Sequence, residues 1–370
     1  MGKTLTVNYL YASETDQKKI EGSMTLLIKA EELAGLINLD DAISAVRKGF
    51  HDHGLAPHYS SPRIRLQHED RRLSVHPGGC VSIETAGVFI HAERFTFENN
   101  SQQYTNAGKR IYVAYDSETA ELNSIIVGSL PLFEFDNPDE QFATETSITS
   151  AVGTDLLARK DCRVMALLGT GRQARRHLIT MKQIRPLDEV RVFSRSERNR
   201  ETFIQKMAPL VDLNLVLCES EEEAIYGSDL ICCATGSNVP ALHGAFLEPG
   251  QHVTSIVNSN KGVKEQAKLK HRRRELDDDV IVKADIIAVN LIEQSILDEH
   301  GDLFEPVEKG LIEWKDCLEI GQILIDKTKG RKTQKDITLY KQNSDQGVGF
   351  MALASLAYDI ARKHDIGIEI

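Results

Sequence analysis

The sequence predicts an α/β protein in two parts, and three observations predict it. Residues 163–193 read as strand, glycine turn, helix and strand. The apolar run Val164–Leu168 leads into Gly169-Thr170-Gly171-Arg172-Gln173-Ala174, an amphipathic segment continues to Ile184, and Val190–Phe193 is apolar again. Upstream, between residues 63 and 132, period-two runs are separated by Pro, Gly and Asp/Asn clusters, the pattern of an antiparallel sheet. Downstream, short strands alternate with helical stretches, as in a doubly wound parallel sheet.

The glycine turn has the form that opens a βαβ unit for a dinucleotide. Gly169 permits the tight turn, Gly171 leaves room for backbone to approach a pyrophosphate, and Ala174 keeps helix and strand close. The helix start offers N–H groups and a positive dipole end to phosphates. After the second strand, NAD enzymes usually place an acid that binds the adenosine ribose. Here stand Ser194, Arg195, Ser196 and Arg198, with no acid before Glu197. Hydroxyls and guanidinium groups suit a 2′-phosphate, so NADP(H) is expected over NAD(H); a solvated basic loop is the alternative.

The remaining elements follow in order. Residues 1–23 are polar and read as an arm. Leu26–Phe50 has helical spacing and reads as two helices, with Asp40 and Asp41 near a start. Residues 63–66, 73–76, 87–92 and 111–115 alternate as strands, and residues 124–132 add another; an acidic, turn-rich loop follows at 133–140. Thr144–Ala158 reads as a helix leading into the nucleotide fold. Beyond the second strand come strands at 212–217, 229–234, 252–257 and 285–289, and a helix at 221–226 that Ser220 caps. Residues 301–335 read as loop and helix, residues 337–340 as a strand, and Val348–His364 as a long apolar helix that returns to pack on the first part or across the hinge between the parts.

Composition narrows the function. The chain has 370 residues, enough for two cores, with 41% apolar and 27% charged residues. A net charge of −11 argues against a general nucleic-acid binder. The basic run Lys268–Arg274 is followed at once by acids and reads as a charged surface segment. There is no apolar run of membrane-spanning length and no secretory segment, and six cysteines are scattered without paired spacing. A cytoplasmic setting is expected.

Several stretches together resemble one family over nearly the whole length: LIKAEELAGLINLDDAISAVRKGF, TSITSAVGTDLLARKD, LLGTGRQA, DLICCATGSNVPAL, PGQHVTSI, RRELD and ITLYKQNSDQGVGF. The chain is similar to the ornithine cyclodeaminase/μ-crystallin family. The resemblance implies a Rossmann-type dinucleotide-binding domain, residues 146–339. It also implies an N-terminal α+β domain, residues 1–145, that binds substrate, dimerises through its sheet and is completed by residues 340–370. It implies hydride transfer between a nicotinamide and an amine or imine carbon, with a small amine, imine or amino-acid-like substrate and a homodimer. Some relatives bind a small ligand without catalysis, which is the alternative reading.

The departures bear on the substrate. Relatives hold a substrate carboxylate with an Arg of the first sheet, a Lys on a nearby strand and an Arg in an RTxA segment. Arg63 or Arg65 matches the first, Phe89 stands in place of the Lys, and Glu145 in place of the second Arg. His91 and Arg94 are nearby substitutes, and no carboxylate stands at Asn258–Asn260, where cyclodeaminases keep an acid-base Asp. Losing two cations and gaining an anion shifts such a site by on the order of several kcal/mol. Ring-closing deamination is therefore not expected.

Glu145 could pair with a cationic iminium, or sit as an acid at a helix start. His91 could donate the proton and His76 could join it, or both could be structural. Lys341 could approach the nicotinamide, or be solvent-exposed. Thr235 and Ser237, after the strand ending at Ala234, occupy the usual crevice position or cap a helix. Val257 and Asn258 border the nicotinamide by resemblance only.

Overall fold

The computed structural model describes residues 25–98, 101–133, 143–257, 271–343 and 347–370, with the backbone alone at 97–98 and 101–106. Two eight-stranded sheets organise them. The first contains β1 (Leu26–Lys29), β2 (Ile64–His68), β3 (Arg71–Cys80), β4 (Thr85–Glu98), β5 (Ser101–Ala107), β6 (Ile111–Asp116) and β7 (Leu122–Val127). Its order is β1-β7-β6-β4-β3-β2, with β5 on β4 and the last strand, Ile368–Glu369, on β1. The alternation read between residues 63 and 132 is thus a meander, because hairpin-linked neighbours pair antiparallel.

The second sheet is all parallel. It contains β8 (Val164–Leu168), β9 (Glu189–Phe193), β10 (Asn214–Leu217), β11 (Leu230–Cys233), β12 (His252–Ser255), β13 (Ile286–Val289), β14 (Cys317–Glu319) and β15 (Thr338–Lys341). The order is β10-β9-β8-β11-β12-β15-β13-β14, a doubly wound arrangement. Strands β11, β12, β13 and β15 are buried at every residue, as a sheet covered on both faces requires.

Five long helices pack on these sheets: α1 (Leu39–Leu55), α2 (Glu145–Leu157), α3 (Arg172–Ile184), α4 (Glu197–Met207) and α5 (Gly347–Lys363). Asn38 caps α1, Ser196 caps α4, and Ser220 caps the short helix Glu221–Ile225. Helix α5 returns to the first sheet and shares its core with α1 through Val46, Phe50, Val348 and Ala352. The approach is close: a Cβ on Gly347 would meet the Pro77 carbonyl oxygen at 2.0 Å.

Three expectations change. Leu26–Lys29 is not helical but a strand, held parallel to β7 far along the chain, with a short 3-10 turn after it. Its apolar residues fit a helix period and a buried strand equally, and long-range pairing decides. Cys317–Glu319, within a segment read as loop and helix, is the edge strand β14. Strand β15 spans Thr338–Lys341, one residue later at each end than the strand read at 337–340. Most of the acidic loop 133–140 lies outside the described residues.

Candidate cofactor cleft and active site

The cleft grows from the end of β8. Gly169 has φ +116°, and a Cβ there would lie 2.4 Å from the Ala234 carbonyl oxygen, so only glycine fits. At Gly171 the Cβ position is open. Helix α3 starts at Arg172 with no side chain capping it, which leaves its first N–H groups for an anion. Ala174 is fully buried beneath, packed with Met165 and Val190. The cleft encloses about 710 Å³ and is lined by Gly169, Thr170, Gly171, Arg172 and Gln173, by Ser194, Arg195 and Ser196, and by Ala234, Thr235 and Ser237. These residues fit a dinucleotide: glycine backbone, free N–H donors and a long apolar-walled slot.

The rim beside β9 is built from hydroxyls. Thr170 Oγ1 lies 3.3 Å from Ser194 Oγ, and Ser196 accepts the Asn199 N–H as the cap of α4. Arg200 is buried below and donates to the Ser194 carbonyl at 2.6 Å. Arg195 is exposed at the rim, whereas Arg198, on the exposed side of α4, does not line the cleft. Among the described lining residues the one carboxylate is Glu221, which accepts from the His243 backbone N–H at 2.6 Å.

Thr235 and Ser237 cap no helix. Thr235 N–H and Oγ1 both donate to Glu275 Oε1, at 2.8 and 2.6 Å. The other Glu275 oxygen accepts from Ser255 Oγ (2.7 Å), Ile256 N (3.0 Å) and Val257 N (3.1 Å). One fully buried carboxylate thus ties together the carboxyl ends of β11 and β12. Val257 is buried in this network, and Asn258 lies outside the described residues. The RRELD stretch marked Glu275, but nothing in the sequence assigned it this task.

Lys341 is not solvent-exposed. Its Nζ lies 2.7 Å from Asp302 Oδ2 and donates to Ser255 Oγ at 2.6 Å, with both charged side chains completely buried. Burial, the largest single influence, raises the Asp302 carboxyl, but the charges of Lys341 and His300 and the hydrogen bonds from Lys341 and the Leu276 N–H together outweigh it, leaving the acid below its ordinary range. Beside them His300 is pushed down to about 3, by burial first and then by Lys341.

The inner face of the first sheet carries a second group of candidate side chains. Arg72 and His76 project from β3, Phe89, His91 and Glu93 from β4, and Tyr112 from β6. The Phe89 and Phe350 rings stack with centroids 3.9 Å apart, and Phe350 of α5 meets His76 at 5.1 Å. Tyr112 Oη donates to Glu145 Oε1, and the buried Arg110 lies in the field of Glu145 and of Arg172. Gln173, in the cleft wall, donates to the Ala143 carbonyl at 2.8 Å, two residues before Glu145. The segment leading into α2 therefore meets the glycine-turn end of the cleft, and Tyr112 joins Glu145 of α2 to the ring cluster.

Three sets of arginines go elsewhere. Arg63 and Arg65 both pair with Asp298, and the Arg63 N–H donates to Gln294 Oε1 at 2.8 Å, bracing the two sheets. Arg94 is exposed, pairs with Asp70 and borders a separate hollow at the β2–β4 corner. In the run 268–274, residues 271–274 are described; Arg272 pairs with Glu299 and Glu308, and Arg274 with Asp278, so these side chains are tied down rather than solvated. Arg110, Arg72 and Glu93 were absent from the sequence reading, because no local pattern marks them.

The sequence profile of the Ornithine cyclodeaminase/mu-crystallin family matches residues 23–361. The chain is 23% identical over 350 residues to Delta(1)-pyrroline-2-carboxylate reductase of Bacillus cereus, covering 93% of this chain and 99% of that one. Among solved structures it is similar to the Thermococcus litoralis Delta(1)-pyrroline-2-carboxylate reductase in complex with NADH and L-proline. That match has a TM-score of 0.75 and 22% identity, covering 94% of this chain and 100% of the other. It is also similar to an archaeal alanine dehydrogenase dimer with bound NAD, with a TM-score of 0.76 and 22% identity, covering 94% and 98%. At these identities the structural likeness is one of fold.

Proposed function

The chain belongs to the ornithine cyclodeaminase/mu-crystallin family, and from that premise we propose that it is an NADP(H)-dependent oxidoreductase acting on a C–N bond. The proposed substrate is a small imine or amine without the usual α-carboxylate. One observation carries this reading: the cleft residue Gln173 is bonded to Ala143, two residues before Glu145, and Glu145 is held by Tyr112 of a ring cluster.

When bound, the reduced nicotinamide supplies a hydride to the substrate carbon. The chain's residues do the rest. His91, with His76 beside it, protonates the imine nitrogen, which makes the carbon more electrophilic. The Glu145 carboxylate, held by Tyr112, stabilises the resulting cation, and the Phe89 and Phe350 rings wall it from water. Arg63 and Arg65 are engaged by Asp298, and Glu145 opposes the Arg110 charge, so among the described residues a substrate carboxylate has no dedicated grip. Ring-closing deamination stays outside the proposal.

Serine hydroxyls and Arg195 at the β9 rim support NADP(H) over NAD(H). This differs from the nucleotides named for the two solved relatives. A homodimer is proposed on the outer face of the first sheet. There Ile64, Val75, Ile90, Ile111 and Val127 stand in one row across five strands, with Ile64 55% exposed. Six buried, unpaired cysteines support a reducing, cytoplasmic setting, and no described helix is long and apolar enough to cross a membrane. The proposed division is residues 1–145 with 340–370 for substrate and dimerisation, and 146–339 for the nucleotide.

The test is turnover of a panel of cyclic and acyclic imines and amines, with and without an α-carboxylate, by purified protein with NADPH or NADH. Turnover confined to compounds lacking the carboxylate, with NADPH preferred, is the expected result. Absence of any turnover with tight NADPH binding would favour the second reading, a non-catalytic NADP(H)- and small-ligand-binding protein. The stacked Phe89–Phe350 pair, filling the place of a family cation, is the observation on that side.

A further inference from the structure

The rungs Arg72–Glu93, Ser74–His91 and His76–Phe89 follow one another across β3 and β4 on the inner face. Along them runs a continuous polar chain. Arg72 Nε donates to Glu93 Oε2 at 3.1 Å, His91 Nδ1 lies 3.3 Å from Glu93 Oε1, and His91 Nε2 lies 3.3 Å from His76 Nε2. Glu93 and His76 are buried, and the two imidazoles lie within 30° of parallel. The third edge of His76 meets Phe350 and Phe89, the rings that adjoin Tyr112 and Glu145. Charge and hydrogen bonding here are organised along a line, whereas a structural core histidine needs only one local acceptor.

We infer that His76 and His91 work as one proton-holding pair, oriented by Glu93, that passes the proton of each turnover to the substrate nitrogen. The inference rests on the oxidoreductase reading for the destination of the proton, not for the pair itself.

The tautomers follow from the ends of the chain. Glu93, fixed by Arg72, sets its charge 3.3 Å from His91 Nδ1 without an aligned hydrogen bond, and that charge favours the proton on this nitrogen. His91 Nε2 is then an acceptor, and His76 donates its Nε2–H to it. An added proton is shared by the pair, and its charge is spread through the His76–His91 hydrogen bond toward Glu93. On delivery, the imine nitrogen lone pair takes that proton, the hydride adds to carbon, and the pair returns to neutral. Burial holds His91 below its ordinary range against the pull of Glu93, while Arg110 and Arg72 add to the lowering. Phe350 of α5 and Tyr112 of β6 contribute no charge opposing this, so His91 takes up a proton only below its ordinary range, and imine reduction is expected to speed up as pH falls.

The test uses the full-length chain with 15N-labelled histidine and no added nucleotide. Long-range 1H–15N spectra across pH are expected to show His76 and His91 titrating together in two linked steps. E93Q is expected to remove the Nδ1–H preference of His91 and shift both, and H91Q to leave His76 titrating singly. Independent titration of the two rings, or indifference of both to E93Q in a protein that still melts cooperatively, would overturn the pair. In turnover, H91Q and E93Q are each expected to lower kcat for imine reduction about 100-fold and displace its pH profile, with NADPH affinity within about twofold of the parent. Linked titration with no imine reduced by the parent protein would instead overturn the oxidoreductase reading and the delivery step with it.

Discussion

Lys341 and Asp302 form an ion pair at 2.7 Å with neither side chain reaching solvent, directly behind the strand ends that border the cleft. Removing one member of such a pair strands a charge in the interior. Lys341→Met is expected to lower stability by about 3–5 kcal/mol in urea unfolding. A variant of undiminished stability that had lost turnover would instead make Lys341 a catalytic group.

Glu275 accepts five hydrogen bonds from Thr235, Ser255, Ile256 and Val257. A glutamine there turns one accepting oxygen into a donor facing other donors, at a cost of about 1–3 kcal/mol per stranded group. Glu275→Gln is expected to weaken NADPH at least tenfold, measured by nucleotide fluorescence. Affinity for 2′,5′-ADP, which lacks the nicotinamide half, is expected to fall less. Equal losses for both would argue against a role at the nicotinamide end.

Arg195 is the exposed cation on the cleft rim. Arg195→Ala is expected to weaken NADPH about tenfold and leave NADH nearly unchanged, since the guanidinium has a strong partner only in the 2′-phosphate. A parallel loss for both nucleotides in titration calorimetry would remove the basis for the NADP(H) preference.

His177 is fully buried with Nδ1 2.8 Å from the Gln173 carbonyl, and burial pushes it down to about 4; His300 is pushed down to about 3. Both fall below the ordinary value of 6.5, so the unfolded chain takes up these protons first. Their contribution is complete above about pH 6.5 and is lost as pH falls toward 4 and then 3. Urea midpoints are expected to drop steadily over that window, and His177→Gln to flatten the upper part of the slope. A midpoint independent of pH between 6.5 and 4 would contradict this.

Leu66 is 63% exposed and Ile64 55%, on the outer face of edge strand β2. A charge there costs the separate chain little and a sheet-to-sheet contact a great deal. Ile64→Glu with Leu66→Glu is expected to give a folded monomer in sedimentation velocity, where the parent is expected to sediment as a dimer.

Much was legible in the chain itself. The glycine turn could be read because its requirement is local: Gly169 needs a positive φ and a missing Cβ, and both are properties of one residue. The meander could be read because alternation is a property of neighbours, and the absence of an acid after β9 is plain in the string Ser194-Arg195-Ser196. Helix α5 was equally plain from its period and length.

Only the folded chain decided the partners. Leu26–Lys29 is a strand because β7 lies beside it. Arg63 and Arg65 pair with Asp298, more than 230 positions away, and Lys341 is buried because Asp302 and Ser255 meet it there. Local sterics and periodicity act over a few residues, so a sequence states them openly. Coulomb attraction and hydrogen bonding act over a few ångströms, and which groups come that close is settled by how two sheets and a returning helix pack.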